Sequence, residues 1–291
     1  MPVPKITVEG ACDLHIHSSP DLGERIGTDV EVAKACRDAG MRAIGIKCHL
    51  DTTMGRAFYT GQIVEGIEVY GGLTLNMQAG GINPAAVDAA LQFGAKLIWM
   101  PTFHAAYQVQ LDGRPGLYNP ASGYEFEAVT VLDEAGRVTR EAQIICELVK
   151  KHDAILHTGH LAPTEAILLI QAARDIGLEK IVVTHPFFTP PAFSMEQLKR
   201  AVDLGAFVEF STNVLNPLPK PIDVRLYSEA VSLMGSERFV IGSDCGHPRK
   251  GFPHEAIRAF AYTLNMLGVS EKDLHAMMVS NYDKLLGSAK I

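Results

Sequence analysis

Asp13-Leu14-His15-Ile16-His17, running on into Ser18-Ser19-Pro20-Asp21, is the stretch on which the reading of this chain turns. It follows a short apolar run and has the composition of a strand that ends in a polar turn. Side chains alternate across a strand, so His15 and His17 point the same way. Two imidazoles on one face of a strand, a few ångströms apart, can hold one divalent metal. A pair of packed histidines that happen to alternate is the competing reading. Position argues against it, because the pair closes the first strand of a repeating strand-helix pattern.

Working outward, strand-like runs recur at 11–15, 43–47, 68–73, 96–100, 154–157, 180–184, 206–210 and 239–243, each followed by a helical segment. Several are continuously apolar, as in Ile181-Val182-Val183 and Phe239-Val240-Ile241, which suits a parallel sheet covered on both faces. The helices have readable ends. Asn83-Pro84 predicts an N-cap with proline at the first helical position, and Gly94 a stop. Ser194 with Gln197 has the form of a capping box closed by Gly205. A last helix is expected over 270–286. Strands alternating with helices in this number, in a chain of 291 residues, predict an α/β fold, a single (β/α)8 barrel spanning 1–291. An open doubly wound sheet would want a glycine-rich phosphate loop after the first strand, and none is present.

The stretch 103–138 interrupts the pattern between the fourth strand and its helix. Gly113, Pro115, Gly116, Pro120 and Gly123 break it up. An alternating run at Val129-Thr130-Val131-Leu132 and a turn at Asp133-Glu134-Ala135-Gly136 then predict a small hairpin. Such an insertion would lie over the C-terminal mouth of the barrel as a lid.

Composition narrows the function classes. The formal net charge of −7 leaves no basic footprint for nucleic acid. No apolar run is long enough to span a bilayer, and Met1-Pro2-Val3-Pro4-Lys5 lacks the apolar stretch of a signal peptide. The cysteines, Cys12, Cys36, Cys48, Cys146 and Cys245, are odd in number and scattered. A reduced, cytoplasmic protein is expected, with the cysteines as packing residues. Homo-oligomerisation is compatible with this composition.

In a barrel, polar residues at the C-terminal ends of strands are functional candidates. His15 and His17 close strand one, Lys47 and His49 strand two, His157 and His160 strand five, His185 strand six and Asp244 strand eight. Imidazoles and a carboxylate converging on one mouth would make a metal site. On strand five the choice stays open. His157 and His160 would face opposite ways in a continuing strand, but Gly159 lets the chain turn; His160 is favoured, with His157 behind it. Gly242 and Ser243 are small and would let Asp244 approach a metal closely. Arg25 and Arg56 are cations on the presumed active face and hint at an anionic small-molecule substrate. His104 and His247 are expected to be solvated loop histidines.

The ordered set H-x-H after strand one, His after strands five and six, and Asp after strand eight resembles the amidohydrolase superfamily of metal-dependent hydrolases. Asp13-x-His15-x-His17, Lys47-Cys48-His49, Thr158-Gly159-His160 and Thr184-His185-Pro186 suggest a poorly characterised branch. The resemblance implies that His15, His17, His160, His185 and Asp244 are metal ligands. Asp244 would also shuttle the proton of a metal-activated water, and His185 would bind metal or polarise the substrate. The implied cofactor is one or two divalent ions, zinc first, with manganese, iron or nickel as alternatives. The implied reaction is hydrolysis of a C–N, C–O ester or lactone bond. The chain departs from the two-metal pattern at strand four, where Lys96 lies at the wrong end. Lys47 is the substitute, either carboxylated or binding a substrate anion. A phosphoesterase of the polymerase-and-histidinol-phosphatase type, a decarboxylase, and a barrel that binds metal without turnover are the alternative readings.

Overall fold

The computed structural model describes residues 6–116, 123, 126–216 and 221–287; Met1–Lys5 and Pro120, both used above, lie outside them. Contacts divide the chain into two compact units. The first comprises the described residues of Met1–Lys47, Gly55–Gly71 and Glu209–Ile291, the second Cys48–Met54 and Gly72–Val208.

The first unit holds β1 (Cys12–Ile16), α1 (Asp29–Asp38), β2 (Ala43–Ile46), most of α2 (Met54–Ile63) and β3 (Glu68–Tyr70). β1, β2 and β3 form a parallel sheet in that order, with Cys12 opposite Ala43 and Ile44 opposite Val69. β1 is buried along its whole length, which is why its apolar and polar residues alternate without a solvent face. α1 opens with a capping box built by Thr28 and Glu31, so the chain leaves the β1 loop in a fixed direction.

The second unit runs through β4 (Gly72–Thr74), α3 (Pro84–Gln92), β5 (Leu97–Trp99), α4 (Ala106–Asp112), α5 (Arg140–Lys151), β6 (Ile155–His157), α6 (Pro163–Asp175), β7 (Ile181–Val183) and α7 (Met195–Asp203), and into β8 (Phe207–Ser211). Its strands are parallel in chain order, with Leu73 opposite Ile98, Ile98 opposite Leu156, Leu156 opposite Ile181 and Val182 opposite Phe207. The anticipated caps are present. Asn83 accepts from Ala85 and Ala86 ahead of α3, and Ser194 and Gln197 cap α7 reciprocally.

The last three residues of β8, Glu209 onwards, return the chain to the first unit. α8 (Arg225–Met234), β9 (Phe239–Gly242), α9 (Pro253–Met266), α10 (Glu271–His275) and α11 (Asn281–Leu286) follow. The segment after β9 zips onto β1: Asp244 N–H donates to His15 O at 2.9 Å and His17 N–H to Cys245 O at 2.7 Å.

Three expectations change. The third strand, read over 68–73, is two strands, β3 and β4, that belong to different sheets and are parted at Gly71. Each half is too short to show its own period. The stretch 103–138 contains a helix, α4, that the sequence reading did not foresee. Among the described residues its hairpin is one antiparallel bridge, Leu132 to Val138, around the turn at 133–136. The helix expected over 270–286 is α10 and α11 joined by a π-turn at Ala276–Ser280. Among the described residues no helix is long and apolar enough to cross a membrane.

Candidate metal centre

In the first unit His15 and His17 face the same way, their rings 5.4 Å apart. His15 is fully buried and His17 nearly so. Asp244 Oδ1 lies 3.1 Å from His15 Nε2 and 3.3 Å from His17 Nε2. One ligand atom from each residue falls within 4.8 Å of the others. Two imidazole nitrogens and a carboxylate oxygen, buried and this close, are a donor set that suits a divalent cation. A cation already leans on it: Lys47 Nζ is 2.9 Å from His15 Nε2, and Lys47 is among the largest fully buried side chains.

The orientation of each donor has a cause. Glu209 Oε1 accepts from His15 Nδ1 at 2.7 Å in a buried contact. A carboxylate can only accept and an ammonium can only donate. Glu209 therefore holds a proton on Nδ1, while Lys47 and Asp244 compete for Nε2, the first as a donor and the second as an acceptor. Glu209 has room because position 242 is glycine: a Cβ there would lie 2.9 Å from Glu209 Cδ. Gly242 thus makes room for Glu209. Asp244 is held by Asn213, whose Nδ2 donates to Oδ2 at 2.7 Å and to the Asp244 carbonyl at 3.0 Å. Lys250 Nζ donates to Asn213 Oδ1 at 3.0 Å, so the amide cannot be turned the other way. Asp244 itself has φ +51, a sparsely populated backbone state of the kind that collects at functional sites.

The charges follow from this packing. Burial opposes a proton on His15, but Glu209 and then Asp244 outweigh burial and Lys47 and raise its pKa to about 9. Burial lowers His17 to about 3, although Asp244 pulls the other way. Burial also opposes the charge on Asp244, yet His15 and His17 beside it hold the carboxyl well below its usual range. Asp13, two residues from His15, accepts at Oδ1 from the backbone N–H of His15 at 3.1 Å and of Ser243 at 3.0 Å. It ties β1 to the end of β9. Burial pushes its carboxyl up to about 7 against those hydrogen bonds.

The other predicted residues separate by unit. Arg25 is paired with Asp21 at 2.7 Å. Arg56 grips Asp29 through Nε at 2.9 Å and Nη2 at 2.7 Å, with Nη2 also on Ser18 O. Both guanidiniums are thus engaged by aspartates. In the second unit the rings of His160 and His185 are 5.1 Å apart, and His185 has φ +26. Gly159 turns the chain before His160 with φ +59, and a Cβ there would strike Met100 O at 2.4 Å. His160 Nδ1 meets Gln108 Oε1 at 2.8 Å. His157 instead stacks on Trp99, centroids 3.7 Å apart. His49 lies 2.8 Å from Thr102 Oγ1 and stacks on Phe103. His104 is fully buried, against the expectation of a solvated loop residue, because Val129 pairs across Ala105 and folds the insertion back over it. His247 is exposed as expected. Lys96 precedes β5 and bonds Asp153. All five cysteines are free and buried; burial raises Cys12 and Cys245 to about 12, which suits packing and not nucleophilic attack.

Glu209, Asn213 and Gln108 escaped the sequence reading. Glu209 had a signal, as the lone carboxylate inside the apolar run Ala206-Phe207-Val208-Glu209-Phe210.

Residues 10–209 match a family of unknown function, DUF6282. The chain belongs to that family. No match was found among curated proteins. Its fold is shared, over essentially the whole chain, with solved structures that include a member of the amidohydrolase superfamily. An amidohydrolase from Pseudomonas aeruginosa is 12% identical, with TM-score 0.65, covering 97% of this chain and 98% of its own. A lactonase from Listeria monocytogenes is 13% identical, with TM-score 0.61 and coverage of 98% and 97%. The phosphotriesterase homology protein from Escherichia coli, solved with phosphate in its active site, is 13% identical, with TM-score 0.59 and coverage of 96% and 99%. The DUF6282 chain is thus an α/β protein of parallel sheets with the fold of amidohydrolase barrels, and carries a buried His-His-Asp cluster.

Proposed function

We propose that this protein is a metal-dependent hydrolase of a C–N, C–O ester or lactone bond in a small molecule. The observation that carries the reading is the buried set of His15, His17 and Asp244, with ligand atoms within 4.8 Å of one another. His15 and His17 would hold a divalent ion through Nε2 and Asp244 through Oδ1. In the second unit His160 and His185 are also proposed as metal ligands, and zinc is the first metal to test. Bound there, the ion would supply Lewis acidity toward water and the scissile carbonyl.

The protein's own groups then have distinct tasks. Glu209 keeps the proton on His15 Nδ1. Asp244, ionised and steered by Asn213, accepts a proton from the attacking water and returns it to the leaving group. Lys47, at the end of β2, binds an anionic part of the substrate or becomes carboxylated; with Arg25 and Arg56 engaged by aspartates, the preference for an anionic substrate rests on Lys47.

The test is metal content of protein purified without added metal, in atoms per chain, with a panel of lactones, amides, carboxylic esters and phosphate monoesters. One or two ions per chain, with turnover restored by metal to chelated protein on a lactone, amide or ester, is expected. A metal-free protein that neither binds zinc nor turns over any panel member would overturn the reading. Turnover of phosphate monoesters alone would transfer it to the phosphoesterases.

A further inference from the structure

Helix α4 sits in the stretch that sequence reading treated as a possible cover, yet it carries a residue that grips a proposed ligand. Gln108 is buried, and its Oε1 lies 2.8 Å from His160 Nδ1. An amide can be turned end for end, so this contact alone does not say which atom meets the imidazole. The second contact of Gln108 decides it. Its Nε2 donates to Asp112 Oδ2, one turn further along the same helix. A carboxylate has no proton to give, so the amide nitrogen must face Asp112 and the amide oxygen must face His160. The oxygen in turn can only accept, which places the proton of His160 on Nδ1 and leaves Nε2 with its lone pair.

The helix that delivers Gln108 is fixed from both sides. Ala106 N–H donates to Val129 O at 2.8 Å and Val129 N–H to His104 O at 2.7 Å. The strand segment behind Val129 is tied to the start of α6 by buried Glu165, which accepts from the Thr130 hydroxyl at 2.5 Å and the Val131 N–H at 2.7 Å. At the root of the insertion Asn76 Oδ1 accepts from the backbone of Thr102 at 2.9 Å and of His104 at 3.1 Å. The ring of His157, by contrast, lies flat against Trp99.

We propose that the relay Asp112–Gln108–His160 is a positioning device: the inserted helix holds His160 in the one tautomer that presents Nε2 as a ligand atom, which favours His160 over His157 as the ligand. Its meaning for ligation rests on the metal reading above, whereas the tautomer itself does not.

The experiment is nitrogen-15 NMR of histidine-labelled full-length protein, as purified and after chelation, paired with zinc titration against a chromophoric chelator. His160 should show a protonated Nδ1 and an unprotonated Nε2 in both states. Gln108→Leu should give mixed tautomers and zinc binding weaker by about 10–100-fold, the usual effect of losing a group that orients a ligand. The double variant Gln108→Glu with Asp112→Asn reverses the first link and keeps the second. The new amide at position 112 then donates, the new carboxylate at position 108 accepts from both sides, and His160 should regain its tautomer and most of its zinc affinity. A loss that came only from disturbed packing in Gln108→Leu would not be repaired by that exchange of polarity. A wild-type His160 protonated on Nε2 in the chelated protein, or a double variant that behaves like Gln108→Leu, would overturn the relay. A correct tautomer in a protein that binds no zinc would support the relay and sink the metal reading instead.

Discussion

Replacing Glu209 by glutamine removes a charge and almost no volume, so it isolates what the carboxylate does for His15. The 2.7 Å contact between Glu209 Oε1 and His15 Nδ1 is at the short end of charge-assisted hydrogen bonds. Such a bond contributes about 1.5–3 kcal/mol where a neutral one contributes about 1. Losing the difference, about 0.5–2 kcal/mol, corresponds to roughly a 2–30-fold change in an affinity that depends on it. The same carboxylate also favours a proton on His15, and its pKa of about 9 means that metal must displace that proton at neutral pH. Between about pH 7 and 9 the apparent zinc affinity of the wild type should therefore rise by about tenfold per unit, and binding at pH 7 should release close to one proton. In Glu209→Gln the imidazole pKa falls, so the pH slope flattens and less than one proton is released. Near pH 9, where proton competition costs the wild type only about twofold, the variant should bind zinc about fivefold to tenfold more weakly. Competition against a chromophoric chelator gives the affinities, and calorimetry in buffers of different ionisation enthalpy gives the protons. A variant with the wild-type slope, wild-type proton release and undiminished affinity at pH 9 would refute the role assigned to Glu209.

Asp244→Asn keeps an oxygen for the metal and the contact with Asn213 in altered form but cannot take a proton; kcat should fall by about 10²–10⁴-fold while zinc content, measured on the same preparation, stays largely intact. Lys47→Ala should lower kcat/KM whichever of its two roles holds, and activation of the wild type by bicarbonate during metal loading would single out carboxylation; unchanged kcat/KM in the variant would remove Lys47 from the site. For Asp13, a pKa raised to about 7 in the folded protein means that the folded state holds more protons than the unfolded chain between roughly pH 4 and 7. Stability should therefore fall as pH rises through that window, by about 1.4 kcal/mol per unit at most. Asp13→Asn lacks this titration, so denaturant midpoints should show it gaining on the wild type from pH 4 to pH 7, and a difference independent of pH would contradict the buried carboxyl.

The parts of the site that the sequence made legible are those fixed by local geometry. His15 and His17 share a face because a strand alternates, and Asp244 follows an apolar run long enough to mark a strand end. Parallel strands were legible because buried strands need no polar face. What escaped depends on partners far away in the chain. Glu209 stands 194 residues from His15, and nothing at position 209 says which imidazole it meets. α4 is 7 residues long, too short to show helical periodicity, so neither it nor Gln108 stood out. His104 was read as solvated from its place in a loop; its burial follows from the pairing of Ala105 with Val129, a long-range contact that no local rule contains. Arg56 escaped for the same reason, since its partner Asp29 is 27 residues away; Arg25 is different, because Asp21 lies only four residues before it and that pair was within reach of a local rule.

A common rule links the residues that sequence reading missed. Each stands one step behind a candidate ligand, and in each case a group that can only give or only take a proton sets the direction. Glu209 can only accept, so His15 keeps its proton on Nδ1. Lys250 can only donate, so Asn213 turns its nitrogen to Asp244. Asp112 can only accept, so Gln108 turns its oxygen to His160. In a buried site an amide or imidazole facing the wrong way leaves two groups unsatisfied, at about 1–3 kcal/mol each. A preference of that size, about 2–6 kcal/mol for the two groups together, makes the wrong orientation a minor population, of order one part in thirty or less. The strain at Asp244, with its positive φ, is held against by the same contacts: its own N–H is bound to His15 O and its carbonyl and carboxylate to Asn213. Each candidate ligand is therefore oriented by hydrogen bonds to the protein's own groups, His15 by Glu209, Asp244 by Asn213 and His160 by Gln108.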